Sequence, residues 1–232
     1  MQYNLCDENW IPVLYRNGEF KRVSILTALH EAGRISQIAT SNPMDRVALL
    51  RFLLAIVYWC QGNPSSPEQV NELILANRFP DDWFGKLCDQ KKCFDLFDME
   101  KRFYQYRGTK EDMLTANYLI HEVPTGRNSW HFRHSIDYQK GICPACCAMG
   151  LIRLPLFSTS GGRGKPPGIN AKPPIYAIPV GASFLETLLL NYLPVANLGT
   201  PAWEKPDTQL SRKGEVPFLT GLTWLPRRVW LN

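Results

Sequence analysis

The sequence predicts an irregular, loop-rich α+β fold with short strands and two core helices. Of the 232 residues, 45% are hydrophobic and 20% are charged, which is typical of a globular chain long enough to bury a core. Residues 43–60 and 184–193 carry apolar side chains at helical spacing, and Asn17-Gly18 is a strong hairpin signal. The 18 prolines and 16 glycines concentrate in the second half, where we expect loops. No clear boundary divides the chain, so we expect one domain over residues 1–232.

The N-terminal part predicts three short strands and a capped helix. Residues 9–13 form the first expected strand and 16–19 the turn, after which the second strand follows. Ser24 is a favourable N-cap residue and Gly33 a favourable helix-ending residue, so a short helix is expected between them. Residues 35–39 are the expected third strand.

The segment over residues 43–60 is the strongest helical signal in the chain. Val47, Leu50, Leu54 and Val57 fall on one face, and neighbouring apolar residues widen that face, so we expect a core helix. The other expected elements are helices over 67–77, 143–156 and 184–193, a helix followed by a turn over 79–97, and a strand over 175–179.

Charge and the N-terminus exclude several classes of protein. The net charge of +5 is too small to identify a nucleic-acid-binding protein by itself. The N-terminus has no basic region followed by an apolar run, so we expect no signal peptide. The apolar residues 47–60 contain Arg51 and are fewer than the ~20 needed to span a bilayer. We therefore expect a cytoplasmic protein, whose seven cysteines are thiols or metal ligands rather than disulfides.

The sequence Cys143-Pro144-Ala145-Cys146 has the spacing of a zinc knuckle. Two thiolates at this spacing supply half of a tetrahedral zinc site. The candidates for the remaining ligands are His131 with His134, Cys88 with Cys93, or a pair beyond Asn232. Buried free thiols without a metal are the alternative interpretation.

A glycine-rich basic segment follows the expected helix over 143–156. Its candidate DNA-binding residues are Ser160, Gly161, Gly162, Arg163, Gly164 and Lys165. The segment lacks the phosphate-loop pattern, because Pro166 follows Lys165, so we exclude nucleotide hydrolysis. Glycines let a backbone approach a ligand closely, and a DNA minor groove is only ~6 Å wide. A flexible linker is the alternative interpretation.

Positive charge around this segment favours a phosphate-binding surface. From residue 153 to 172 the charged side chains are all basic: Arg153, Arg163, Lys165 and Lys172. We expect Arg153 and Lys172 to add groove or phosphate contacts. A solvated loop would carry the same charges, so charge alone does not decide between the two interpretations.

Basic and aromatic side chains alternate over residues 124–134. Such interleaving suits stacking on bases with phosphate contacts alongside. The candidate contacts are Arg127, Asn128, Phe132, Arg133 and His134. The alternative is a surface loop that Trp130 and Phe132 hold against the core.

Catalytic patterns are weak, and we expect no enzymatic activity. Cys143 or Cys146 with His131 or His134 would make a nucleophile–base pair, but no oxyanion motif accompanies it. His134 with Asp137 lacks the carboxylate cluster that metal-assisted phosphodiester hydrolysis needs.

Together, these segments resemble the CasA family, the large subunits of type I-E CRISPR Cascade complexes. The similar segments are, in order, residues 4–5 and 9–13, the core helix around 49–58, 124–128 with Phe132, Cys143 and Cys146, the glycine-rich segment, 181–193 and 221–228. Each segment is weak alone, but their order and spacing cover most of the chain.

The resemblance implies a binding role in RNA-guided antiviral defence. It implies that residues 160–164 enter the DNA minor groove next to the protospacer-adjacent motif (PAM). It also implies that Phe132, Arg133 and His134 contact neighbouring subunits and the 5′ handle of the guide RNA, and that Cys143 and Cys146 are half of a zinc knuckle. The implied partners are double-stranded target DNA, the CRISPR guide RNA, other Cascade subunits and a recruited helicase-nuclease, with a role in starting the R-loop.

The chain also departs from the family. Family members are considerably longer, and their C-terminal helical bundle, second cysteine pair, PAM-contacting lysine and strand-separating wedge find no match in this sequence. We therefore expect a fragment or a reduced variant that ends at Asn232. Arg163 interrupts the glycine run, which adds a charge directed at the groove but reduces backbone freedom.

Two other functions compete with this one. A free-standing zinc-binding RNA-binding module would use His131, His134, Cys143 and Cys146 as a complete metal site. An interaction scaffold would contact no nucleic acid at all.

Overall fold

A computed structural model of the chain describes residues 2–106, 119–120, 141–157, 168–170, 174–205 and 215–232. Within these ranges a three-stranded sheet and several helices surround one core, which confirms the predicted α+β class. The strands are β1 (Ile11–Tyr15), β2 (Phe20–Val23) and β3 (Ile35–Ile38). The α-helices are α1 (Ile25–His30), α2 (Pro43–Gln61), α3 (Pro67–Ala76), α4 (Gly85–Asp89), α5 (Pro144–Phe157), α6 (Phe184–Leu190) and α7 (Phe218–Leu222).

The sheet has the strand order β2-β1-β3, and both pairs are antiparallel. Ile11, Val13 and Tyr15 alternate along β1 as buried residues, which is the period expected for a strand with one face on the core. The predicted turn between β1 and β2 is confirmed: Gly18 has a φ of +87°, and the Asn17 side chain accepts a hydrogen bond from the Glu19 N–H.

The first helix begins at its predicted cap and ends earlier than expected. The Ser24 hydroxyl accepts a hydrogen bond from the Thr27 N–H at 3.2 Å, and α1 ends at His30, three residues before Gly33. Gly33 instead allows a close approach of two segments. A Cβ at this position would lie 1.9 Å from the backbone oxygen of Asn77, which caps α3 in the left-handed conformation.

Helix α2 is the centre of the molecule. The Asn42 side chain accepts a hydrogen bond from the Met44 N–H at 2.9 Å, and Gly62, with a φ of +76°, ends the helix. From Ala48 to Trp59 every residue of α2 except Arg51 is buried, as expected for a helix that is apolar all round. Aromatic rings from other segments pack against Phe52 of this helix, among them Phe94, Phe103 and Trp203.

Two predicted elements differ from the structure. The strand expected over 175–179 is wrong, because residues 174–182 pair with no strand of the described chain, and the side chain of Ile175 is 99% exposed. Helix α6 ends at Leu190 rather than at residue 193. Pro194 disfavours a helical conformation at Leu193, whose backbone N–H and C=O both bond to the Tyr58 hydroxyl.

The region over 79–97, predicted as a helix followed by a turn, contains one short α-helix, α4. Single 3-10 turns at Asp81–Phe84 and Lys91–Phe94 flank α4. All seven cysteines fall in the described ranges and carry free thiols. Among the described helices, none combines the length and the apolar character that crossing a bilayer requires.

Candidate nucleic-acid interface

Most residues predicted to touch nucleic acid lie outside the described part of the chain. These are Ser160, Gly161, Gly162, Arg163, Gly164, Lys165 and Lys172, together with Arg127, Asn128, Phe132, Arg133 and His134. Cys143, Cys146 and Arg153 are described, and all three belong to α5 or to the residue before it. Helix α5 therefore connects the cysteine pair to the start of the glycine-rich segment.

Helix α5 packs against α2 and buries an apolar face. Pro144 opens the helix at a position where proline is favourable, and Ala148, Leu151 and Ile152 are buried. Gly150 lets another segment approach closely, since a Cβ there would lie 2.7 Å from the Leu119 Cβ. The helix is thus fixed at its middle by close packing.

Arg153 lies inside the molecule and not on its surface. Its guanidinium forms an ion pair with Asp45 of α2 at 2.8 Å and donates a second hydrogen bond to the Leu119 carbonyl at 2.8 Å. The two charged side chains are only 5% and 12% exposed. This position differs from the predicted DNA contact: the charge of Arg153 is used to hold α2 and α5 together.

The C-terminal end of α5 holds the two ends of the glycine-rich segment close to each other. The Leu156 carbonyl accepts hydrogen bonds from the Asn170 side-chain amide at 2.8 Å and from the Tyr176 hydroxyl at 3.1 Å. The rings of Phe157 and Tyr176 also meet, with centroids 5.7 Å apart. The described residues on the two sides of 158–167 therefore lie close to each other.

Arg51 lies beside this anchor, and its importance was not predicted from the sequence. Its guanidinium carbon lies 5.3 Å from the centroid of the Tyr176 ring, and its buried Nε has no hydrogen-bond partner among the described residues. Burial lowers the pKa of Arg51, and the phenols of Tyr176 and Tyr104 offset part of this effect. The available signal was a single cation within the apolar residues 47–60.

The paired cysteines Cys143 and Cys146 are exposed at the start of α5, whereas Cys147 is buried. Burial alone would raise the pKa of the Cys143 thiol, but hydrogen bonds from Cys146 and from the Ala145 N–H outweigh it, so the pKa is lowered. Burial and the hydrogen bond with Cys143 raise the pKa of Cys146. Burial also raises the pKa of Cys147, to about 11.

Cys143 and Cys146 fit the requirements for two zinc ligands. Both thiols are accessible on one helical turn, and a thiol with a lowered pKa readily supplies the thiolate that zinc binds. Within the described ranges, no group of three or more histidine, cysteine or acidic side chains is arranged to hold a metal ion, so Cys88 and Cys93 do not join this pair. His131 and His134 lie outside those ranges.

Nearly the whole chain matches one protein family. The family model of the CRISPR-associated protein Cse1 matches residues 4–232. The CRISPR-associated protein CasA/Cse1 of Thermus thermophilus is 31% identical in an alignment of 221 residues that covers 90% of this chain and 43% of that protein. The crystal structure of Thermobifida fusca Cse1 matches with a TM-score of 0.77 at 25% identity, covering 98% of this chain and 48% of that one.

The same fold occurs in a chain of a CRISPR RNA-guided surveillance complex. That chain matches with a TM-score of 0.70 at 19% identity, and the match covers 89% of this chain and 47% of that one. At this identity the likeness concerns the fold alone. The chain spans about half the length of these relatives.

Proposed function

Because this chain belongs to the CRISPR-associated Cse1 (CasA) family, we propose that it serves in the large subunit of an RNA-guided Cascade complex of type I-E. In this role it binds double-stranded target DNA at the PAM and helps to start the R-loop. The role is one of binding, and no residue is assigned to catalysis.

The single observation that carries this proposal is the anchor at Leu156. Asn170 and Tyr176 both bond to the Leu156 carbonyl, so the two ends of residues 158–167 are held together on a buried helix. A segment with fixed ends loses less conformational freedom when it binds. The anchor therefore supports a recognition role for this segment over that of a flexible linker.

The composition of the anchored segment suits a DNA groove. Between residues 158 and 167 there are three glycines, Arg163 and Lys165, and no acidic residue. A backbone without side chains fits a minor groove only ~6 Å wide, where bulkier residues would clash. Residues 160–165 are therefore the proposed DNA contact, and Lys172 adds positive charge for phosphates.

The other partners are proposed on the same family basis. Arg127, Asn128, Phe132, Arg133 and His134 contact the guide RNA or neighbouring Cascade subunits in this proposal. PAM binding with local opening of the duplex starts pairing with the guide RNA, after which the helicase-nuclease is recruited. We also propose that Cys143 and Cys146 bind zinc, which would cross-link the start of α5 to the segments that provide the remaining ligands.

Substitution of one glycine tests the DNA contact. The guide-RNA complex is assembled with the wild-type chain or with Gly162→Leu, and its binding to duplexes with and without a PAM is measured. We expect the variant to join the complex normally and to lose PAM-dependent binding, because the leucine side chain obstructs the groove. Unchanged target binding by the variant would contradict the assignment of this segment.

Gly85→Leu is the matched control. A Cβ at Gly85 meets nothing within 4 Å, and this residue lies on α4, which is part of neither the glycine-rich segment nor its anchor at Leu156. The control should assemble and bind PAM-containing DNA as the wild type does.

A further inference from the structure

Arg51 is a cation on a largely apolar helix, and no described residue carries a charge that compensates it. Every other residue between Ala48 and Trp59 is buried, and the Arg51 Nε has no hydrogen-bond partner in the described part of the chain. An arginine stays protonated even when it is partly buried, so the molecule keeps this charge rather than releasing a proton. Removing a charge from water without pairing it is unfavourable, and such a group is a candidate binding site for an anion.

No carboxylate of the described elements around Arg51 neutralises it. Asp45, the single acidic residue of α2, pairs with Arg153. The aromatic neighbours of Arg51 are Tyr176 and Tyr104, and burial raises the pKa of the Tyr104 phenol, so that it is neutral. A ring face attracts the cation only weakly compared with an anion. Within the described residues Arg51 forms no ion pair.

The surrounding sequence cannot supply the anion either. From residue 138 to 185, which includes Tyr176, there is no acidic residue, and the five charged side chains are Lys140, Arg153, Arg163, Lys165 and Lys172. The charges of this stretch of sequence are therefore all positive. A stretch of this kind favours a polyanion over a single carboxylate, since duplex DNA carries one negative charge per ~1.7 Å of helix axis.

Arg51 lies beside the anchor of the proposed DNA-binding segment. Tyr176, whose ring covers the guanidinium, also donates its hydroxyl proton to the Leu156 carbonyl at the anchor of residues 158–167. The planar guanidinium of Arg51 presents N–H groups that match the oxygen geometry of a phosphate. We infer that Arg51 binds a backbone phosphate of the target DNA duplex, beside the anchor at Leu156. This inference rests on the proposed function and adds a binding residue to it.

The test compares Arg51→Met with Arg34→Met. Methionine keeps the apolar stem and removes the charge, and Arg34 is an exposed arginine elsewhere whose loss changes the net charge equally. In the assembled complex, we expect Arg51→Met to weaken binding to PAM-containing duplex about tenfold or more. The slope of log K against log salt should become shallower by about 0.9, as for one lost phosphate contact.

Equal affinity and equal salt slope for the two variants would overturn the inference while leaving the proposed function intact. If the wild-type complex itself shows no chain-dependent DNA binding, the proposed function fails instead. The anion site is then tested on the free chain with inorganic phosphate. Phosphate should raise the melting temperature of the wild type and not that of Arg51→Met, and an equal rise in both would overturn the site.

A second variant covers the case in which Arg51→Met does not fold. Arg51→Lys keeps the charge and loses the planar fork. A phosphate contact predicts weaker DNA binding with a salt slope like that of the wild type. Affinity and slope both equal to the wild type, together with no loss in the phosphate response, would contradict a role for the guanidinium.

Discussion

At the scale of single residues, two arginines on neighbouring helices differ in whether a nearby carboxylate compensates the guanidinium charge. Arg153 of α5 has a carboxylate at 2.8 Å, whereas Arg51 of α2 contacts the ring of Tyr176 and forms no ion pair with any described residue. The sequence shows both as a cation within an apolar helix and does not distinguish them. Asp45 lies 108 residues from Arg153 along the chain, and only the packing of α2 on α5 brings the two together.

The buried ion pair predicts a strong dependence of stability on Asp45. Asp45→Ala leaves the Arg153 charge buried without its carboxylate, so we expect the free energy of unfolding to fall by about 3–5 kcal/mol. Urea denaturation measures this loss. The double variant Asp45→Leu with Arg153→Met should recover most of it, because no charge remains buried.

The control for this prediction is Glu100→Ala, which removes an exposed ion pair with Lys92. Its unfolding curve should match that of the wild type, since exposed pairs contribute little. If the unfolding curve of Asp45→Ala coincided with that of the wild type, another group would have to compensate the charge of Arg153.

The cysteines predict a pH-dependent order of alkylation. The thiolate is the reactive form, so the lowered pKa of Cys143 makes it the first to react with iodoacetamide near neutral pH. Cys147, with its pKa raised to about 11, stays protonated and reacts faster only as the pH approaches that value. Mass spectrometry of peptides after timed quenching gives the rates.

Zinc extends the same measurement. If the proposed site forms, added zinc should protect Cys143 and Cys146 and leave the rate at exposed Cys88 unchanged. Equal rates at Cys143 and Cys147 without zinc would contradict the environments described for the two thiols. If His131→Ala abolishes the protection of these cysteines by zinc, the result would favour the free-standing zinc-binding RNA-binding module, in which His131 and His134 complete the metal site.

At the scale of elements, local signals predicted the first half of the fold. The Asn17-Gly18 turn, the Ser24 cap and the Asn42-Pro43 start of α2 act within a few residues, so the sequence alone places them. The expected strand over 175–179 was wrong because a strand requires a partner. The Tyr176 hydroxyl instead donates a hydrogen bond to the Leu156 carbonyl, and no local sequence pattern predicts this contact.

The anchor of the glycine-rich segment gives a prediction at this scale. Asn170→Ala removes the amide hydrogen bond to the Leu156 carbonyl, so the ends of residues 158–167 are held less tightly. We expect weaker PAM-dependent DNA binding by the assembled complex and little change in the melting temperature of the chain. Competition binding and thermal unfolding measure the two quantities separately.

Asn63→Ala is the control for the anchor. Asn63 also joins two distant segments, through hydrogen bonds with the backbone of Val195. Its loss should leave DNA binding unchanged. A decrease in DNA affinity of the same size in both variants would mean that general loosening, and not the anchor, is responsible.

At the scale of the whole molecule, the described helices and sheet form a scaffold. The proposed zinc and DNA contacts lie at the two ends of α5. This helix starts at the cysteine pair, is fixed to α2 by Arg153, and ends at the anchor. The sequence predicted the helix and the residues at its two ends. It did not predict that this helix is buried against α2 or that an ion pair between Arg153 and Asp45 joins the two helices, because both depend on tertiary packing.

The most direct test of the central claim is duplex DNA binding by the reconstituted guide-RNA complex, with and without this chain. Targets with and without candidate PAM sequences are compared at one fixed salt concentration. The proposed function predicts that adding the chain confers PAM-dependent binding. A complex that does not incorporate the chain, or that binds both targets equally whether or not the chain is present, would contradict it.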